Sequence, residues 1–202
     1  GKRLGHHSTP QLKTNALLVE LAKQYSCVVR LKGGDPFIFG RGGEEAMYLQ
    51  KNGISVQVVP GITSGIAAAA CFGIPLTHRF AGSSVTFVTG HEGINKIRPS
   101  VNWQALAKGS NSLVIYMGIH NLQHIVNELF SAGLSPDLPV AVIHNATVVG
   151  QVCLKTSLKN LVKEVGSKQI IAPSIVIIGE IINFQVESCS LALANVTMPV
   201  LD

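Results

Sequence analysis

Residues 27–45 read Cys-Val-Val-Arg30-Leu-Lys32-Gly33-Gly34-Asp35-Pro36-Phe-Ile38-Phe-Gly40-Arg41-Gly-Gly-Glu-Glu45, and the change of character along this stretch decides the fold class. The run Cys27 to Lys32 is rich in β-formers and stops abruptly at a glycine pair and a proline. Glu44 to Asn52 then reads as a helix stopped by Gly53, and Val56 to Val59 as a strand stopped by Pro60-Gly61. Upstream, Ser8-Thr9-Pro10 has the form of a helix start, a hydroxyl cap before a first-turn proline. Leu12, Ala16, Leu17 and Leu21 follow at helical spacing to about Tyr25. Downstream, Ile66 to Cys71 reads as a helix of small residues, able to pack closely on a sheet. Strand alternating with helix is the doubly wound α/β pattern, whose crossovers imply a largely parallel sheet.

A break at Gly73 to Ser84 separates this region from a second one. There, strands are expected at Val85–Val88, Leu113–Tyr116, Val140–Ile143 and Ile175–Ile178, with helices near Leu122–Phe130 and Leu158–Val165. Val148 to Leu154 reads as an added antiparallel strand that would make the second sheet mixed. The expected organisation is two α/β domains, residues 1–80 and 84–182, each with a central sheet, and a disordered tail at 187–202. Ligands of such folds gather at the carboxyl ends of strands, often between domains.

Composition narrows the class. The chain is 47% hydrophobic and 13% charged, which excludes a disordered protein. Its apolar runs are short, well below the ~20 residues of a membrane helix, so no membrane partner is expected. The start, GKRLGHHSTP, has no apolar stretch behind its basic residues and does not read as a signal peptide. The net charge of +5 is scattered over Lys2, Arg3, Lys32, Arg41, Arg79, Lys96, Arg98 and others, with few aromatics between. That argues against nucleic acid; it suits an acidic small molecule or simply a solvated surface. Cys27, Cys71, Cys153 and Cys189 are too far apart for a metal pair or a disulfide framework, and read as buried free thiols in a reducing compartment. His120 and His124 stand one helical turn apart without an acidic or cysteine partner nearby, so no metal is expected.

The glycine-rich string carries most of the chemistry. Two glycines directly after a strand let a ligand approach the backbone, and Asp35 could accept hydrogen bonds from an ammonium or from ribose hydroxyls. Gly40-Arg41-Gly42-Gly43 puts a guanidinium on a flexible loop, a sensible carboxylate clamp. The string is neither GxxxxGK[ST] nor a correctly placed GxGxxG, and as bare physics a glycine-rich turn is often only a turn. His6-His7, His78-Arg79 and His91 are further candidates for meeting an acidic ligand, the last two because they lie at the expected ends of elements.

The string RLKGGDPFIFGRGGEE is followed in order by VVPGITS, GIPLTHR, TGH and IYMG. This succession, with the opening GKRLGHHS, resembles the uroporphyrinogen-III C-methyltransferases of the tetrapyrrole methylase family over roughly residues 1–182. The resemblance implies two α/β domains with S-adenosylmethionine in the cleft between them. It implies methylation of two pyrrole rings of uroporphyrinogen III to give precorrin-2 for siroheme or cobalamin, by a homodimer in the cytoplasm, or in the plastid stroma of a eukaryote. The implied cofactor contacts are Gly33, Gly34, Asp35, Ile38, Thr63, Ser64, Met117 and Ala146, the last standing where many relatives have glycine. Lys2 falls on a proton-donor position, and Arg41 and Met117 on substrate contacts. The family also has, ahead of that lysine, a glycine- and proline-rich loop, a helix and a strand bearing an acidic proton acceptor; the first domain is therefore expected to lack these. A later cobalamin-pathway methylase, or a truncated chain that only binds the cofactor, are the alternatives.

Overall fold

A computed structural model of the chain describes residues 10–91 and 101–186. It divides into two units, Gly1–Thr63 and Ser64–Asp202.

In the first unit, helix α1 (Gln11–Gln24) follows Pro10, which itself occupies the N-cap. Its buried positions are Asn15, Leu18 and Val19, whereas Leu12 and Leu17 are 74% and 51% exposed. The expected stripe through Leu12 and Leu17 is thus on the wrong side of the helix. Polar Gln11 and Asn15 face inward instead: Gln11 Nε2 donates both to a buried carboxylate described below and to Asn15 Oδ1. Helix α2 (Gly42–Lys51) starts two residues before Glu44, from Arg41 in the left-handed region at φ 58°. Glu44 and Glu45 in its first turn and Lys51 in its last suit the helix dipole.

Cys27–Lys32 and Val56–Val59 are not strands: neither run takes part in a β-ladder among the described residues. Their β-rich composition describes side chains that fit a pleated surface, but a strand also needs a neighbour for its N–H and C=O groups. Val29, Leu31 and Val59 are largely exposed. Cys27 is exposed too, contrary to the expectation of a buried thiol; Cys71 is buried and Cys153 half-buried, with burial pushing its thiol pKa up.

The second unit is built on a five-stranded sheet, β1 (Val85–Thr89), β2 (Ser112–Tyr116), β3 (Pro139–His144), β4 (Val152–Ser157) and β5 (Ser174–Ile178), in the order β1-β2-β5-β3-β4. β1 and β2 are parallel, while β5 runs antiparallel to both β2 and β3, and β4 antiparallel to β3. The sheet is mixed, as the antiparallel reading of Val148–Leu154 anticipated for β4; the reversal of β5 was not anticipated. The consequence is that the carboxyl ends of β1, β2 and β3 and the amino end of β5 share one edge.

Strand period two sorts the side chains onto two faces. Leu113, Ile115, Val142 and Val176 pack under α4 (Trp103–Gly109), α5 (Leu122–Ser131) and α6 (Leu161–Ser167) through Trp103, Ile125, Leu129 and Leu161. Val114, Tyr116, Ala141, Ile143 and Ile177 pack under α3 (Ser64–Cys71) and the 3-10 turn Glu180–Phe184. β2, covered on both sides, is buried at every position. Helix α4 escaped the sequence reading; Asn102 caps it, its side chain accepting Ala105 N–H at 3.0 Å. Ala68 and Ala69 bring α3 directly onto the sheet.

Candidate functional site

The turn after Lys32 is held together from within. Asp35 Oδ1 accepts the backbone N–H groups of Phe37 (2.8 Å) and Ile38 (3.1 Å), and Oδ2 accepts that of Gly61 (3.2 Å). Hydrogen bonds from Phe37 and Gly61 hold its pKa below the usual carboxylate range, against a smaller opposing effect of desolvation. The carboxylate expected to meet an ammonium or a ribose is thus already a backbone clasp. Gly42 N–H closes the other side of the loop on Pro36 O at 2.9 Å. A Cβ on Gly42 would lie 2.4 Å from that carbonyl, which is why the string needs glycine there. The segment expected to be flexible is therefore a compact loop, and Gly42 already belongs to α2.

Arg41 leaves this loop exposed, and its Nε and Nη2 engage the Glu44 carboxylate, the latter at 2.6 Å. The hydrogen bonds that the guanidinium donates to Glu44 raise its pKa further. Beneath the loop, Glu45 is 4% exposed. It meets Lys32 Nζ at 2.7 Å, Arg30 Nη2 at 3.4 Å and Gln11 Nε2 at 2.8 Å. Burial pushes its pKa up, but the hydrogen bonds of Lys32 and Gln11 and the charges of Arg30 and Lys32 pull it below normal overall. In the same unit Ile38 is exposed, a Cβ on Gly33 would meet no atom within 4 Å among the described residues beyond its chain neighbours, and Thr63 is buried.

In the second unit the strand ends converge as the mixed topology requires. Met117 directly follows β2 and is 51% exposed, with φ 54°; Asn145 and Thr147, after β3, have φ 49° and 70°. Three non-glycine residues in the left-handed region, at the ends of β2 and β3 on the same edge of the sheet and with β5 between them, mark stored strain, a common property of binding sites. Ala146 lies between the latter two, half-buried. Gly90 N–H donates to Tyr116 O (2.7 Å) and Asn121 Nδ2 to Gly90 O (2.7 Å), so the turns after β1 and β2 are tied together. His144 Nδ1 lies 3.1 Å from Pro173 O and 3.2 Å from Ser174 Oγ. The Tyr116 hydroxyl accepts Gly65 N–H at 2.9 Å, which brings Ser64, exposed at the head of α3, alongside the end of β2.

A cavity of about 170 Å³ opens at this edge, lined by Thr89, Gly90, Trp103, Asn121 and His124. A larger one of about 330 Å³ lies at the opposite end of the sheet, around Asn111, Leu113 and Glu180, away from Met117 and Ala146. His91 is exposed just beyond β1, and His78 stacks on Phe184 at 4.4 Å between ring centres. His120 sits on a 3-10 turn and His124 on α5, the latter 4.0 Å from Glu128. Among the described residues no three His, Cys, Asp or Glu side chains gather as a metal site, and no helix is long and apolar enough to cross a membrane. Lys2, Arg3, His6, His7, Lys96, Arg98, Cys189 and the tail 187–202 lie outside the described residues.

Sequence reasoning missed Tyr116 and the Lys32–Glu45 pair. A lone tyrosine closing an apolar strand, and a basic residue directly before a glycine pair, were the available signals.

The family profile of the tetrapyrrole (corrin/porphyrin) methylases matches residues 2–162, and the chain belongs to that family. Within it, the uroporphyrinogen-III C-methyltransferase of Synechocystis sp. is 53% identical over 184 residues, covering 91% of this chain and 70% of the relative. That of Priestia megaterium is 47% identical over 184 residues, 91% of this chain and 77% of the relative. The uroporphyrin-III C-methyltransferase of Thermus thermophilus, crystallised with S-adenosyl homocysteine, aligns with a TM-score of 0.75 at 33% identity over 86% of this chain and 75% of that one. The tetrapyrrole methylase class expected from the ordered motifs, and its α/β fold, are therefore borne out.

Proposed function

We propose that this protein transfers methyl groups from S-adenosylmethionine to two pyrrole carbons of uroporphyrinogen III, giving precorrin-2 for siroheme or cobalamin. The observation that carries the reading is the 53% identity with the Synechocystis enzyme over 91% of the chain. A later cobalamin-pathway methylase is the weaker reading on the same ground.

The residues present suit the donor. Gly33 leaves its backbone open to a ligand, and the Met117 thioether and the Ser64 side chain are exposed beside the strand ends where ligands of α/β folds gather. In this reading the residues that contact S-adenosylmethionine are Gly33, Gly34, Asp35, Ile38, Thr63, Ser64, Met117 and Ala146. When bound, that group supplies a methyl on a positively charged sulfur. Asp35 acts indirectly, its carboxylate fixing the Phe37, Ile38 and Gly61 amides and with them the shape of the Gly33-Gly34 turn.

The chain's task is chiefly positioning, because an electron-rich pyrrole carbon needs a near-attack geometry more than an activating group. Arg41 meets a substrate carboxylate; Glu44 orients its guanidinium, and Nη1 has no partner among the described residues. Met117 adjoins the substrate. Methylation leaves a cationic ring that must give up a proton to a base; that role is distinct from the one this reading assigns to Lys2, which is a proton donor. The same reading makes the enzyme a homodimer of the cytoplasm or plastid stroma, on the strength of the resemblance.

The test is competition between uroporphyrinogen III and a more highly methylated corrinoid precursor at equal concentration. The reading expects uroporphyrinogen III to be consumed first. Preferential methylation of the later precursor would favour the alternative.

A further inference from the structure

Lys32 is absent from the contacts that the resemblance implies, yet its side chain is only 14% exposed and its ammonium is shared between two acceptors. One is Glu45 Oε2 at 2.7 Å, and the other is the backbone carbonyl of Gly40, to which Nζ donates at 2.5 Å. Glu45 is itself held from its other side, where Gln11 Nε2 and Arg30 Nη2 reach Oε1 at 2.8 and 3.4 Å. The carboxylate therefore serves as an anchor that aims the ammonium at Gly40. Gly40 is the residue before Arg41, and the loop on either side of it is strained: Phe39 and Arg41 have φ 51° and 58° without being glycine. Such conformations persist only where the surroundings over-determine them. Here the restraints are Gly42 N–H on Pro36 O and the Lys32 ammonium on Gly40 O.

We propose that Lys32 is a positioning residue for the tetrapyrrole: anchored on Glu45, it holds the Gly40 carbonyl and so fixes the backbone from which Arg41 offers its guanidinium to a substrate carboxylate. The inference rests on the reading of Arg41 as a carboxylate clamp. Lys32 itself touches neither substrate nor donor. Its contribution is to pre-set the loop, which otherwise has to be ordered at each encounter, and it therefore belongs to substrate KM and not to the methyl-transfer step.

The experiment is a double-mutant cycle on the full chain with two readouts, KM for uroporphyrinogen III and amide exchange at Gly42. K32M should raise KM roughly tenfold with kcat little changed, and should speed exchange at Gly42. K32R, which can reach both acceptors, should restore both readouts. In an R41A background K32M should add less than about twofold to KM, because the group it positions is gone. K32Q, which keeps a donor, is read in the same way if methionine unfolds the unit. A wild-type KM in K32M, or an equal K32M effect with and without Arg41, overturns the positioning role while leaving the clamp intact. A wild-type KM in R41A alone overturns the clamp, and this role of Lys32 with it.

Discussion

The hydroxyl of Tyr116, the last residue of β2, accepts the backbone N–H of Gly65 at 2.9 Å. One neutral hydrogen bond thereby fixes the head of α3 against the strand end that presents Met117, and it does so inside the second unit's core. Gly65 has no room for a side chain, since a Cβ would lie 2.4 Å from the tyrosine oxygen and 2.8 Å from Val114 Cγ1. Tyr116→Phe should leave a buried N–H without this acceptor and cost about 1–3 kcal/mol in denaturant unfolding. Gly65→Ala should cost a similar ~1–3 kcal/mol through overpacking. Both should also weaken S-adenosylhomocysteine binding in a titration, because Ser64 and Met117 flank the bond.

Met117 separates function from stability. Its side chain is half exposed and its backbone left-handed, so little packing is lost on truncation. Met117→Ala should lower kcat/KM at least tenfold with the melting temperature nearly unchanged. Met117→Gly should relieve backbone strain and raise stability, while remaining as poor an enzyme. A melting curve and a rate for each variant check both halves.

Asp35→Ala removes the acceptor for three amides at once, and the Gly33-Gly34 turn should lose its shape. Calorimetry with S-adenosylhomocysteine should show affinity falling roughly tenfold or more. Asp35→Asn, which keeps one acceptor oxygen, should fall in between. An unchanged affinity in Asp35→Ala would remove Asp35 from the cofactor site.

Acid should destabilise the first unit in a defined direction. Glu45 has a folded pKa below its usual 4.5, so the unfolded chain takes up the proton first as pH falls. The stabilisation is complete above about pH 4.5 and is lost as pH drops through the folded value. Asp35, lowered by its backbone hydrogen bonds, acts in the same sense. Glu45→Gln should be less stable at neutral pH and show a shallower decline on acidification, measured by unfolding from pH 7 to pH 3.

The five strands of the second unit were nearly all legible because each is a short apolar run between turn residues, and such runs survive any topology. The antiparallel course of β4 was legible as well, but the direction of β5 was not. Nothing local in Ile175–Ile178 distinguishes a strand running against its neighbours from one running with them, since its burial on both faces gives the same pattern. In the first unit, Val56–Val59 and Cys27–Lys32 carried strand composition without strand pairing, because pairing depends on a neighbour that composition does not report. The site was legible as a string of motifs but not as a mechanism. The aspartate in Gly-Gly-Asp reads as a ligand group until its three amide partners are seen, and Glu45 reads only as part of the helix from Glu44 until Lys32 is found against it.

The central claim is methyl transfer to uroporphyrinogen III, and label stoichiometry tests it most directly. The protein is incubated with methyl-labelled S-adenosylmethionine and uroporphyrinogen III, and the tetrapyrrole product is analysed by mass spectrometry for labelled methyl groups. The account predicts a product carrying two, with a singly methylated intermediate at early times. A tetrapyrrole that remains unlabelled under these conditions would contradict it.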